Sequence, residues 1–417
     1  MALRLSDIEA ARAAVAELAR VTPLLHSRSL SALCGADAWL KAEVLQRTGS
    51  FKVRGAAHFL GSIAPAERAR GVVAASAGNH AQGVAVAAAN LGVPCHVVMP
   101  MGTALPKERA TRDYGADVII AGHDVGEAAA IAQRLAGEQG WTFVPPFDDA
   151  RIVAGQGTLG LELLEQQPDL ERVVVPVGGG GLAAGVALAV KSRQPGVQVI
   201  GVQAAEMPSA ARSHGGPTPI AVGVRPTLAD GCAIPCVGTF TLPLLNRYVD
   251  QIVTVSEEWI SLAMVWLLER GKMVVEGAGA LGVAAILAGA IAPSGRRTAV
   301  VLSGGNIDVN LLARIVEHGL ARAGRYLTLV ITLRDRPGQL AGVLQTCSGQ
   351  GVNVLTVEHR RNTPALPVDA VEVELLVETR DADHAAATTA ALEASGLVRI
   401  PTPGPAVRLR DPSLPTL

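Results

Sequence analysis

The stretch Thr48-Gly49-Ser50-Phe51-Lys52-Val53-Arg54-Gly55-Ala56 sets a lysine behind a Gly-Ser-Phe turn, at the mouth of an apolar segment that runs to residue 63. Alone, such a lysine reads as a solvated residue opening a helix, because lysines are seldom buried. Three more stretches change that reading: Ser76-Ala77-Gly78-Asn79-His80, Gly178-Gly179-Gly180-Gly181-Leu182 and Ser303-Gly304-Gly305-Asn306. Each stands at the end of a short apolar run. Such runs recur at 39–44, 71–75, 94–99, 117–121, 173–177, 198–202, 252–255 and 298–303. Helical patterns fall between them at 81–91, 104–114, 126–137, 182–192 and 257–270. Alternating strands and helices pack as parallel sheets with helices on both faces, so the sequence predicts an α/β fold. A first helix is predicted over 7–20, capped by Ser6 and stopped by Pro23, and a closing helix over 308–323.

The four stretches hold complementary chemistry. Lys52 supplies an amine, which is nucleophilic only when neutral; burial lowers its pKa toward that state. Gly178, Gly179, Gly180 and Gly181 let backbone N–H groups converge on one anion, and the helix opened by Leu182 adds its positive end. Neither G-x-G-x-x-G nor G-x-x-x-x-G-K-[ST] fits this loop, which argues against a nucleotide. Ser303 follows a strand, where a neutral hydroxyl can donate to a ring nitrogen; its bland alternative is a helix cap. Asn79 offers an amide to a ring hydroxyl. Amine, phosphate cradle, ring-hydroxyl partner and ring-nitrogen partner are the inventory that holds pyridoxal phosphate as a Schiff base.

With Pro146-Phe147-Asp148-Asp149, Gly155-Gln156-Gly157-Thr158, Leu228-Ala229-Asp230-Gly231-Cys232 and Glu276-Gly277-Ala278-Gly279-Ala280, these stretches resemble the threonine ammonia-lyases over about residues 5–320. That family belongs to the fold-type-II, tryptophan-synthase-β-like pyridoxal-phosphate enzymes. The resemblance implies two parallel-sheet subdomains within 1–324, the smaller spanning about 55–150. It makes Lys52 the cofactor lysine and the remover of the substrate α-proton, with Phe51 near the ring. Ser76, Ala77, Gly78, Asn79 and His80 form the turn that holds the substrate carboxylate, His80 through its backbone. Serine racemase relatives carry a second serine where this chain has Ala77, so one-sided proton transfer is expected. Metal-stimulated relatives have a glutamate and an aspartate where Gln203 and Ser209 stand, with Glu206 nearby; no divalent-metal requirement is expected. The implied reaction is elimination from L-threonine to 2-oxobutanoate and ammonia, with L-serine to pyruvate as a side activity. Serine or 3-hydroxyaspartate dehydratase and serine racemase are alternatives within the class. A catalytically silent amino-acid sensor is the alternative outside it.

The pattern changes after Gly324. Strands at 326–333, 353–360, 368–379 and 398–400 and helices at 337–348 and 383–395 give the β-α-β-β-α-β order of the ferredoxin-like unit. Its turn, Asp335-Arg336-Pro337-Gly338-Gln339-Leu340, resembles ACT regulatory domains. A domain at 325–402 is expected to bind an amino-acid effector through Gly338, Leu340 and Asn353, with an irregular tail at 403–417. Homodimers or homotetramers are expected.

Length fits a chain of about two to three domains. Apolar residues make up 49% of the 417, enough for an extensive core, and the net charge of -1 offers nothing to nucleic acid or an anionic membrane. Five scattered cysteines, an odd number without a framework, point to reduced thiols and the cytoplasm. Cys232-x-x-x-Cys236 lacks a second half and reads as two buried thiols. The N-terminus has no apolar signal core. The long uncharged stretches at 173–190 and 277–295 are too broken by glycine and proline to span a bilayer and read as buried core elements.

Overall fold

The computed structural model describes residues 3–361 and 367–396. It divides into Met1–Asp308 and Val309–Leu417. The first unit contains two sheets. The larger has the strand order Leu24–His26, Ala38–Ala42, Thr298–Leu302, Arg172–Pro176, Gln198–Ala204, Gln251–Val255. Its pairings are parallel except the first, where Leu24–His26 runs against Ala38–Ala42. The smaller sheet, Asp117–Ile120, Cys95–Met99, Val72–Ala75 and Thr142–Phe143, is parallel throughout. Its two central strands and those at the middle of the larger sheet are covered by helices, which is why they read as continuous apolar runs.

Several elements differ from the sequence expectation. The first helix is Leu5–Ala16; the carboxylate that takes the Arg4 amide, at 2.7 Å, belongs to Asp7, and Ser6 lies inside the helix. The helix expected at 257–270 is α-helical only over Glu257–Trp266, then widens into a π-turn, Leu267–Gly271, before Lys272 at φ 55°. The uncharged stretch after Glu276 is the helix Gly277–Leu287, buried along nearly its whole length. No helix among the described residues is long and apolar enough to cross a membrane.

The largest omission is the helix Ala150–Gln166, which no sequence pattern suggested. Gly155, Gly157 and Gly160 each lower helix propensity by about 1 kcal/mol relative to alanine. Here they are contact points. A Cβ on Gly155 would lie 2.6 Å from the Arg54 carbonyl oxygen, and one on Gly157 would lie 2.9 Å from that of Gly185. The helix is thereby pressed between the lysine helix, Lys52–Ser62, and the glycine-loop helix, Gly181–Arg193.

In the second unit, Tyr326–Arg334, Ala370–Glu378 and Asn353–Arg360 form an antiparallel sheet in that order, joined by the helices Gln339–Gly349 and Ala382–Ala394. Leu329, Ile331, Val373 and Leu375 alternate onto its inner face and pack in one core. Helix Val309–Arg322 precedes the first strand. The strand expected at 398–400 and the tail lie outside the described residues.

Candidate active site

The lysine helix begins at Lys52 itself, with Phe51 as its cap. Glycines bring that helix close to its neighbours: a Cβ on Gly83 would lie 3.1 Å from the Lys52 carbonyl carbon. The Lys52 amine donates to the Pro146 carbonyl at 2.9 Å and sits 5.3 Å from the Phe51 ring centroid. Burial lowers its pKa to about 8, against the opposing influence of Cys232 and Glu276. About a tenth of the amine is therefore neutral at pH 7, against less than a thousandth for an ordinary lysine.

Phe147, next to the carbonyl that receives Lys52, lies under the glycine loop; a Cβ on Gly179 would fall 2.4 Å from its ring. The loop follows the strand Arg172–Pro176, and Gly180, at φ 97°, turns it into the helix. The Gly179 carbonyl is pinned by the Thr241 hydroxyl at 2.7 Å. Asp148 fixes that neighbourhood by accepting from the amides of Thr239, Phe240 and Thr241. The amides of Gly178, Gly179, Gly180, Gly181 and Leu182 meet no acceptor among the described residues. Free N–H groups converging at a helix N-terminus fit a phosphate.

A second such turn opens the helix Asn79–Asn90. The amides of Ala77, Asn79 and His80 have no acceptor among the described residues, while that of Gly78 is taken by the Ser76 hydroxyl at 3.1 Å. The arrangement suits a carboxylate. His80 is buried, and its Nε2 faces the Val144 carbonyl at 3.0 Å. Burial and the charge of Lys52 push its pKa down to about 3, so the ring stays neutral. A ring held neutral and turned to that carbonyl is poorly placed to act as a base.

Phe51 donates its amide to the Ser303 carbonyl at 3.0 Å, which sets the end of the strand Thr298–Leu302 beside the lysine turn. Ser303 is buried, and its hydroxyl has no partner among the described residues; nor has that of fully buried Ser50. Asn79 donates to Glu276 Oε1 at 2.7 Å and accepts from Asn306 Nδ2 at 2.7 Å. The structure thus brings Lys52, Asn79, the glycine loop and Ser303 to one cleft, and the residues present fit pyridoxal phosphate. Sequence reasoning named Glu276 without a role, quoted Asp148 and Asn306 only as members of the Pro-Phe-Asp-Asp and Ser-Gly-Gly-Asn stretches, and passed over Thr241.

Gln203 and Ser209 hydrogen-bond each other at 3.3 Å; Gln203 also receives the Ala210 amide and Ser209 donates to the Ile234 carbonyl. Glu206 instead pairs with Arg225. No cluster of three or more histidine, cysteine, aspartate or glutamate side chains suited to a metal occurs among the described residues. In the second unit, Gly338, at φ 92°, opens the helix Gln339–Gly349. The amides of Gly338 and Leu340 meet no acceptor among the described residues, and Asn353 lies 3.5 Å from Glu378.

The family described as "Pyridoxal-phosphate dependent enzyme" matches residues 15–304, and the family described as "ACT domain" matches 327–396. An L-threonine ammonia-lyase of Thermotoga maritima is 46% identical over 92% of this chain and 95% of its own. Among solved structures, the processed form of threonine deaminase isoform 2 from Solanum lycopersicum has a TM-score of 0.71 at 35% identity, covering 75% of this chain and 91% of its own. Maize serine racemase has a TM-score of 0.72 at 32% identity, covering 77% and 99%.

Proposed function

This chain belongs to the pyridoxal-phosphate dependent enzymes and ends in an ACT domain; on that premise we propose that it is a threonine ammonia-lyase, converting L-threonine to 2-oxobutanoate and ammonia. The observation that carries the reading is the length of the match to the Thermotoga maritima lyase, which takes in both units. L-Serine, lacking one methyl group, is the side substrate. Turnover of L-threonine, L-serine, D-serine and 3-hydroxyaspartate tests this. Highest kcat/KM is expected for L-threonine, and a clear preference for any of the others overturns the assignment.

Bound pyridoxal phosphate withdraws electrons from the substrate α-carbon, acidifying its proton. The chain's residues do the rest. Amides of Gly178 to Leu182 would hold the phosphate, and Ser303 would donate to the ring nitrogen without charging it. Asn79 would meet the ring oxygen, with Phe51 near the ring. The turn Ser76 to His80 holds the substrate carboxylate on its amides. Lys52, partly neutral because it is buried, takes the α-proton.

Racemisation needs a second proton-transferring group on the opposite face. Where serine racemase relatives carry a serine this chain has Ala77, whose methyl cannot transfer a proton, and His80 is turned to Val144. Incubation with L-serine is expected to yield pyruvate with D-serine at background level by chiral chromatography, and Ala77→Ser is expected to raise D-serine measurably. Substantial D-serine from the parent contradicts this.

The ACT domain is read as the regulatory unit, binding a branched-chain amino acid such as isoleucine or valine. Free amides at Gly338 and Leu340 suit the effector carboxylate, and Asn353 its polar end. Regulation requires unequal binding to two states. It is transmitted through a homodimer or homotetramer built on exposed sheet edges. Titrating isoleucine and valine against the full-length protein is expected to shift rate and thermal midpoint together; no shift in either makes the domain structural. A cytoplasmic location is supported by five free cysteines.

A further inference from the structure

Behind Asn79 lies a directed chain of hydrogen bonds. The Thr48 carbonyl can only accept, so the group 2.6 Å from it must be the Asn306 NH2. That NH2 also reaches Asn79 at 2.7 Å, which makes the facing Asn79 atom its carbonyl oxygen. The Asn79 NH2 is then left toward Glu276 Oε1, again at 2.7 Å. Glu276 itself has little freedom. It is 4% exposed and lies over Gly304, whose Cβ, if present, would fall 2.3 Å from Oε1.

We propose that Glu276 is a positioning residue for the cofactor: with Asn306 it locks the Asn79 amide in the orientation that offers an N–H, and not a carbonyl oxygen, to the ring oxygen. This rests on the assignment of the cleft to pyridoxal phosphate. An NH2 has two hydrogens, and Asn79 gives one to Glu276; the other has no acceptor among the described residues. A flipped amide would set its oxygen against the carboxylate and its NH2 against that of Asn306.

Glu276 also titrates in the working range. Burial and Asp230 push its carboxyl up to about 7, while Asn79 and Lys107 pull it down. The charged and titratable groups around it are Lys52 on the lysine helix, Lys107 on the helix Leu105–Asp113, and Asp230 and Cys232 on the turn Asp230–Cys232. Losing the charge weakens the bond to Asn79, so the cofactor's environment depends on pH through this residue.

The test measures pyridoxal-phosphate affinity and the bound cofactor's absorption across pH 5.5–9 for the parent, Glu276→Ala and Glu276→Gln. Glu276→Ala is expected to raise the cofactor dissociation constant about tenfold, the worth of a hydrogen bond to a charged group. Glu276→Gln, which can still accept from Asn79, is expected to bind within about threefold of the parent. Its absorption, however, should lack the parent's inflection near pH 7. Thermal midpoints of the cofactor-free proteins report folding; if Glu276→Ala does not fold, Glu276→Gln and Asn306→Ala decide, the latter expected to weaken affinity as Glu276→Ala would. Parental affinity in both Glu276→Ala and Asn306→Ala, or an unchanged inflection in Glu276→Gln, overturns the proposal. Lys52→Ala serves as the separate control: if it keeps the parent's absorption, the cofactor assignment itself fails, whatever Glu276 does.

Discussion

Lys52→Ala is expected to lose at least about a thousandfold in kcat, the scale on which nucleophile and base knockouts fall, while remaining folded. The two consequences separate because of where the amine lies. Its single hydrogen bond among the described residues goes to the Pro146 carbonyl, so truncation frees one acceptor and creates a small void. Helix packing around it is carried by glycines and by Arg54, which the substitution leaves in place. Removing a charge that burial disfavours costs the fold little, since the lowered pKa shows the charged amine to be poorly accommodated. Pyruvate and 2-oxobutanoate release, the absorption of lysine-linked cofactor and the thermal midpoint are the readouts. Near-parental turnover would remove Lys52 from the mechanism. Collapse of the thermal midpoint together with activity would instead make it a structural lysine.

How much of this was legible in the sequence depends on what kind of force held each part. The strands were readable because a strand buried on both faces has no polar side, as the run Val173–Val175 shows. Glycine stretches at the ends of those strands were readable because few other uses call for consecutive glycines before a helix. Helix Ala150–Gln166 was not, since its glycines lower local propensity and gain their meaning only from Arg54, Gly185 and Val186 on helices elsewhere in the chain. The partnership of Asp148 shares that fate: the stretch that contains it was quoted, but a carboxylate capping a loop 91 to 93 residues away leaves no local sign of what it caps. Asn306 stands in the Ser-Gly-Gly-Asn stretch, yet its role depends on the Thr48 carbonyl, a backbone atom whose position no sequence pattern gives.

The same limit hid the group behind the second large effect. Arg54 stands two residues after Lys52 and is fully buried, with Lys41 and Glu43 equally hidden. Its guanidinium forks onto Glu43, Nε to Oε2 and Nη2 to Oε1 both at 2.8 Å, and reaches Glu162 at 2.6 and 2.9 Å. Lys41 completes the cluster by donating to Glu162 at 2.7 Å. Burial alone would raise the Glu43 carboxyl, but Arg54 outweighs it and holds that pKa below the usual range. Arg54→Met conserves bulk and removes the charge, leaving Glu43 with the Thr22 hydroxyl and the more distant Lys41. Stranding a buried carboxylate costs about 3–5 kcal/mol, so a large fall in thermal midpoint is expected at pH 8. The pH dependence fixes the cause. In the parent, Glu43's depressed pKa contributes stability above the ordinary glutamate pKa, and that contribution fades as acid protonates it. In Arg54→Met, uncompensated burial raises the same pKa, so the penalty is present at neutral and basic pH and relieved as pH falls. The gap in midpoint between parent and variant is therefore expected to narrow from pH 8 to pH 5. Arg54→Lys, with one ammonium in place of a fork, should fall between them. A stability loss under about 1 kcal/mol at pH 8, or a midpoint gap that widens in acid, would show that the cluster does not brace the helix on which Lys52 is mounted.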